Sequence, residues 1–91
     1  MDEHEPVAIP IEDTLDLHSF QPRDVQDAAR EYLLEAHARG LTEVRLIHGR
    51  GIGVQRERIR SLLAGLAFVV EYHDADPGGG GWGATIVRLE S

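Results

Sequence analysis

Val25, Ala28, Ala29, Tyr32, Leu33 and Ala36 recur at spacings of three and four. Such a stripe is one apolar face of a helix, and it must find an apolar surface to lie on. Pro22 suits the first helical turn, Asp24 and Asp27 near the start and Arg39 near the end complement the helix dipole, and Gly40 is a natural stop. A helix is therefore predicted over Pro22–Arg39. Val54, Ile59, Leu62, Leu63 and Leu66 predict a second helix after Gly53, with Arg56, Arg60 and Ser61 facing outward. Four extended runs surround these helices: Thr14–His18, Glu43–His48, Phe68–His73 and Ala84–Leu89. The order is β-α-β-α-β-β. Two helices cannot cover both faces of a sheet in a chain of 91 residues, and short right-handed crossovers put both on the same face. The other face is expected to stay open, lined by residues drawn from Asp16, His18, Arg45, Glu71, His73 and Arg88.

The chain forms one domain by length. Residues 1–11 read as an acidic, proline-punctuated tail, either disordered or lying across the domain, and residues 12–91 as the domain itself. No cysteine is present, which removes disulfides and thiolate zinc sites. No apolar run approaches the roughly 20 residues that span a bilayer. The first residues carry no basic cluster followed by an apolar stretch. A cytoplasmic location without a membrane partner is expected.

The net charge of −7 argues against a protein that coats nucleic acid nonspecifically. The charges are unevenly placed, however. Asp2, Glu3, Glu5, Glu12, Asp13 and Asp16 precede the first arginine, whereas Arg45, Arg50, Arg56, Arg58 and Arg60 cluster with only Glu57 among them. Arginine supplies all of the Lys/Arg charge, which suits bidentate contact with phosphate.

That cluster surrounds His48-Gly49-Arg50-Gly51-Ile52-Gly53. Here a strand is expected to end, glycines allow close approach, and a helix begins, so backbone N–H groups and the helix dipole could meet an anion. Gly49, Arg50, Gly51 and Gly53 are the candidate phosphate contacts. The Lys-Ser/Thr pair of a Walker A loop is missing. Asp16 and His18 lie two apart on a strand, on one face and roughly 6.5–7 Å apart at Cα. Asp16 could orient a histidine or help to hold a divalent cation. His37 reads as solvated surface. His73, before the Asp74–Gly81 connection, and Trp82, after its glycines, are further candidates for substrate contact. Trp82 would either dock on the core or stack on a base.

Leu15-Asp16-Leu17-His18, His48-Gly49-Arg50-Gly51 and Gly81-Trp82-Gly83-Ala84-Thr85-Ile86-Val87-Arg88-Leu89 together resemble the three sequence blocks of the small MutS-related, or Smr, domain, in order and interval. The resemblance covers nearly all of residues 11–90. It implies a two-layer α/β sandwich with a four-stranded mixed sheet, similar to the C-terminal domain of a translation initiation factor. Members occur alone or fused behind mismatch-repair-like ATPases, and several nick DNA or cleave RNA. The family's acidic-histidine motif falls on Asp16 and His18, and its histidine-glycine motif on His48, Gly49, Arg50 and Gly51. Ser19 stands where a glycine commonly follows the first histidine.

The expectation is an endonuclease of DNA or RNA. His48 would serve as general base or acid, His18 as the second proton carrier or a phosphate ligand, and Asp16 as orienting group. Arg50 and the amides from Gly49 to Gly53 would stabilise phosphoryl charge, with Arg56, His73, Trp82 and Arg88 as further contacts. Attack by an RNA 2′-hydroxyl needs no metal, whereas attack by water on DNA favours Mg²⁺ or Mn²⁺. A non-catalytic nucleic-acid-binding module and a protein-interaction domain are the alternatives.

Overall fold

A computed structural model describes residues 12–49, 53–76, 78 and 81–91, with Trp82 described through its backbone alone. The acidic tail, Arg50, Gly51 and the Trp82 side chain lie outside the described residues. The chain runs through β1 (Thr14–Asp16), a 3₁₀ turn (Pro22–Asp24), α1 (Val25–Ala38), β2 (Glu43–Ile47), α2 (Val54–Ala64), β3 (Val69–Asp74), a second 3₁₀ turn (Gly81–Gly83) and β4 (Ala84–Leu89). This is the expected β-α-β-α-β-β order, in one four-stranded sheet of order β1-β2-β4-β3. β1 pairs parallel to β2, and β4 pairs antiparallel to both β2 and β3. The α2 crossover thus carries the chain past one strand position, which β4 later fills.

Both helices bury their stripes on the same sheet face. Val25, Ala29, Leu33 and Ala36 of α1 and Ile59 and Leu63 of α2 form one core with Leu17, Val44, Leu46, Val87 and Leu89. The opposite face carries Thr14, Arg45 and Ile86 in one cross-strand row and Glu43, Arg88 and Glu71 in another. It remains open as a pair of shallow clefts that share Glu43 and Ile86.

Several boundaries differ from those predicted: β1 ends at Asp16 and β2 at Ile47, so His18 and His48 lie in the turns that follow the strands and not on them. Pro22 starts a 3₁₀ turn, and the α-helix proper begins at Val25. The stop is where expected, since Gly40 has φ +83°, a backbone conformation that costs a side chain strain. β3 extends to Asp74, so the loop begins one residue later. Val70 drops out of the ladder between the Val69–Leu89 and Glu71–Arg88 pairs. That irregularity explains why so apolar a residue is 51% exposed. His37 is not simple solvated surface: its ring stacks on Phe68, centroids 4.4 Å apart.

Leu33 is fully buried, whereas its neighbour Leu34 is 45% exposed. Leu33→Ala should therefore lose about 2–5 kcal/mol of unfolding free energy and Leu34→Ala about 0.5 kcal/mol or less, both read by urea denaturation.

Candidate functional site

Three chain ends meet at the end of the sheet where β1 and β2 finish. Beyond β1, Leu17 N–H still donates to Ile47 O at 2.7 Å, and Phe20 N–H donates back to Leu17 O at 3.0 Å, closing a tight turn. Beyond β2, the N–H groups of His48 and Gly49 both donate to Gly83 O, at 3.1 and 2.9 Å. Gly83 lies immediately before β4, so the third block is tied to the second by one carbonyl. Gly49 has φ +87°, and a Cβ there would sit 3.9 Å from His18 Cβ. The first block therefore lies directly against the second.

Asp16 and His18 form a closed unit. Asp16 Oδ1 accepts from the His18 N–H at 3.0 Å and also bonds His18 Nδ1. The His18 side chain, and then its backbone N–H, hold the Asp16 carboxyl below its ordinary value of 3.8. An ionised carboxylate only accepts, so His18 Nδ1 carries the proton in this bond. With 66% of the side chain exposed, the ring offers Nε2 to an incoming group.

His48 occupies a different environment. Strand alternation turns Leu46 and His48 toward the helices and Ile47 away, and His48 is only 5% exposed. Its Nδ1–H donates to Gly49 O at 2.9 Å, so in the neutral ring Nε2 accepts from the Thr85 hydroxyl, also at 2.9 Å. Burial pushes His48 below its ordinary value of 6.5. The Gly49 carbonyl opposes that shift, the Arg56 and Arg60 charges add to it, and Asp74 partly offsets it. The expected arrangement of two histidines opening on one pocket is thus replaced by one exposed and one enclosed imidazole.

Arg56 and Arg60 do not look outward as expected. Asp74, opposite Thr85 on the helix side of the sheet, accepts from Arg56 Nε and Nη2 at 3.1 and 2.8 Å and from Arg60 Nη2 at 2.7 Å. Arg56, then Arg60, hold the Asp74 carboxyl below its ordinary value. Arg60 also lies over the Tyr72 ring, 5.3 Å from its centroid.

The remaining sequence candidates scatter. Gly53 caps α2, with its carbonyl accepting from Glu57 N–H. Gly49 supplies contact and turn geometry, and its amide is already engaged by Gly83 O. His73, whose Nδ1 donates to Asp74 O, sits on the open face of the edge strand furthest from β1. Arg88 pairs with Glu71 and lies opposite Glu43, at the far end of β2 from the site. Neither is brought to Asp16 and His18. Thr85, Asp74 and the Gly83 carbonyl are site members that sequence reasoning missed. A signal existed for Thr85, a hydroxyl placed by alternation on the buried side with Val87 and Leu89, where it needs a partner.

Among the described residues, no group of three or more His, Asp or Glu side chains comes together to hold a metal ion. Asp16, the expected ligand, has its Oδ1 engaged by His18. No helix among the described residues is long and apolar enough to cross a membrane.

The Smr domain family matches residues 15–90. The protein called Endonuclease MutS2 of Clostridium botulinum (strain ATCC 19397) is 36% identical over 80 residues, covering 88% of this chain and 10% of its own length. That of Clostridium kluyveri (strain NBRC 12016) is 35% identical over 77 residues, covering 85% of this chain and again 10% of its own length. The chain therefore spans about a tenth of these curated relatives. The crystal structure of the Smr domain of Thermus thermophilus MutS2 superposes with TM-score 0.83 at 36% identity, covering 88% of this chain and 100% of that one. YdaL, a stand-alone small MutS-related protein from Escherichia coli, superposes with TM-score 0.76 at 28% identity, covering 90% and 67%.

Enclosure of His48 couples the stability of the fold to pH. Its proton binds more readily in the unfolded chain, so its contribution is complete above the unfolded value of 6.5 and is lost as pH falls through the lower folded value. Unfolding free energy should drop as pH falls below the unfolded value of 6.5, above the range in which Asp16 and Asp74 titrate. His48→Gln should flatten that slope in urea melts. An unchanged slope would mean that the ring is not held neutral in the fold.

Proposed function

Because the chain belongs to the Smr domain family, we propose that it cleaves phosphodiester bonds in nucleic acid, with His18 as the group that moves the proton. The observation that carries this reading is the Asp16–His18 unit. A carboxylate fixes Nδ1–H and leaves Nε2 exposed beside the Gly49 turn. Carboxylate-fixed imidazoles of this kind act as proton carriers because tautomer and direction are set in advance. The relatives named as endonucleases support the same reading.

In the proposed step, His18 Nε2 takes the proton from the attacking oxygen as that oxygen bonds to phosphorus. The bond to the leaving oxygen breaks, and that oxygen takes a proton from solvent. With RNA, the attacking oxygen is the 2′-hydroxyl and the products are a 2′,3′-cyclic phosphate and a 5′-hydroxyl. With DNA, it is water. Asp16 is a positioning residue that acts through His18. His48 shares a role in positioning, because its Nδ1–H and the Thr85 hydroxyl brace the turn on which Gly49 meets His18. Arg50 and Gly51 retain their proposed part in phosphate binding.

The enclosure of His48 favours one rival, a module that binds nucleic acid without cutting it. One panel separates the two: single- and double-stranded DNA and RNA, each with Mg²⁺, Mn²⁺ or chelator. Cleavage in chelator indicates attack by the 2′-hydroxyl, and strict metal dependence indicates water. His18→Ala should lower kcat by about 10²–10⁴-fold with circular dichroism unchanged. Asp16→Asn, which keeps an acceptor for Nδ1–H but loses the charge, should lower it less. Cleavage by His18→Ala at the wild-type rate would remove His18 from the mechanism, and salt-sensitive binding without product under every condition would establish the module.

A further inference from the structure

Phe20 is 41% exposed, and its position makes that exposure informative. The other aromatic side chains described, Tyr32, Phe68 and Tyr72, all pack against the core. Phe20 closes the Leu17–Phe20 turn that also presents His18, so the ring stands two residues from the exposed imidazole. The segment that follows is anchored rather than loose. Asp24 N–H donates to Gln21 O at 2.8 Å, and Arg58 Nη1 of α2 reaches Pro22 O at 3.2 Å. The turn therefore leaves an exposed aromatic side chain two residues from His18 without using it to fill the core.

Charge sharpens the argument. A chain with net charge −7 repels a polyanion at long range, and Glu12, Asp13, Asp16 and Asp24 all lie close to Phe20 in sequence. Arg56 and Arg60 are drawn to Asp74. Stacking on a base adds affinity at this edge without depending on the backbone charge, since every base presents a π-face.

We infer that Phe20 stacks on a nucleobase next to the phosphate that His18 addresses, so that the strand entering the site carries an unpaired base at that position. This inference rests on the nucleic-acid reading above and adds the substrate feature which that site recognises. A base held in a continuous duplex has both faces covered by its neighbours, so it cannot lie on the ring without first leaving the stack. Single-stranded, frayed or junctional segments meet the requirement.

The test is a fluorescence-anisotropy titration of short single-stranded and fully duplex oligonucleotides of DNA and RNA, made in the His18→Ala chain so that the probes stay intact. Single-stranded Kd should rise about tenfold to a hundredfold in Phe20→Ala, and Phe20→Tyr should restore it. One abasic position, stepped along the strand, should weaken binding to the chain that retains Phe20 and have no further effect in Phe20→Ala. Equal affinity with and without the ring, failure of tyrosine to restore binding, or an abasic effect that persists in Phe20→Ala would each overturn the inference while leaving phosphodiester cleavage standing. Binding with Phe20-dependent affinity but no cleavage by the wild-type chain would overturn the cleavage reading alone. No binding of any oligonucleotide by the wild-type chain would overturn both.

Discussion

The Gly83 carbonyl accepts two N–H groups, those of His48 and Gly49, and the arrangement of the site depends on that shared acceptor. β2 and β4 are already paired through Ile47 and Ala84. The two further bonds extend the association past the strand ends and turn the chain sharply at Gly49. That turn places Gly49 against His18, which the parallel β1–β2 pairing has brought to the same end of the sheet. Three blocks distant in sequence thereby become one surface, held mainly by backbone groups and by the glycine that the φ of +87° at position 49 requires. The side chains are what that backbone junction displays.

The pleat then decides which of them can meet a substrate. Asp16 pairs with Ile47 on the open side of the sheet, while His48, one residue further on, turns toward the helices and finds Thr85. The two histidines consequently differ in kind. One is exposed and oriented by a carboxylate; the other is enclosed, held neutral by desolvation and bonded through both nitrogens. Thr85 and Asp74 face each other across β4 and β3, so the hydroxyl that braces His48 and the carboxylate that gathers Arg56 and Arg60 lie in one cross-strand row. The helix side of the site holds His48 with Thr85 and Asp74 with its two arginines, and the open side displays Asp16 and His18.

Legibility in the sequence followed the range of the interaction. The α1 stripe, the Gly40 stop and the alternation of Thr85, Val87 and Leu89 depend on neighbours three or four residues away, or two along a strand, and each is found where the pattern predicts. Asp16 and His18 were legible as near neighbours, but their contact is made in the turn after β1 and not along the strand. The burial of His48 was not legible, because it depends on which strand pairs with β2 and in what register. Arg56 and Arg60 misled in a similar way. Helical spacing assigns them to the outer face, but Asp74 meets them from the end of β3, a placement that the helical pattern alone does not contain. His37 joined Phe68 across 31 positions of sequence, a pairing no local rule contains.

The acidity that argues against a nucleic-acid function at long range acquires a physical place in this arrangement. Asp74 occupies two of the arginines nearest the glycine turn, and Glu71 occupies Arg88 on the opposite face. Such pairs contribute little to stability where they are exposed, but they remove broad positive patches from the surface. Under the proposed reading, productive contact depends on short-range geometry at one edge: an oriented imidazole, a glycine turn that permits close approach and an exposed aromatic side chain. A cleaving domain built in this way would discriminate by local strand structure instead of by electrostatic attraction, and an acidic surface would limit unproductive cutting elsewhere along the polymer.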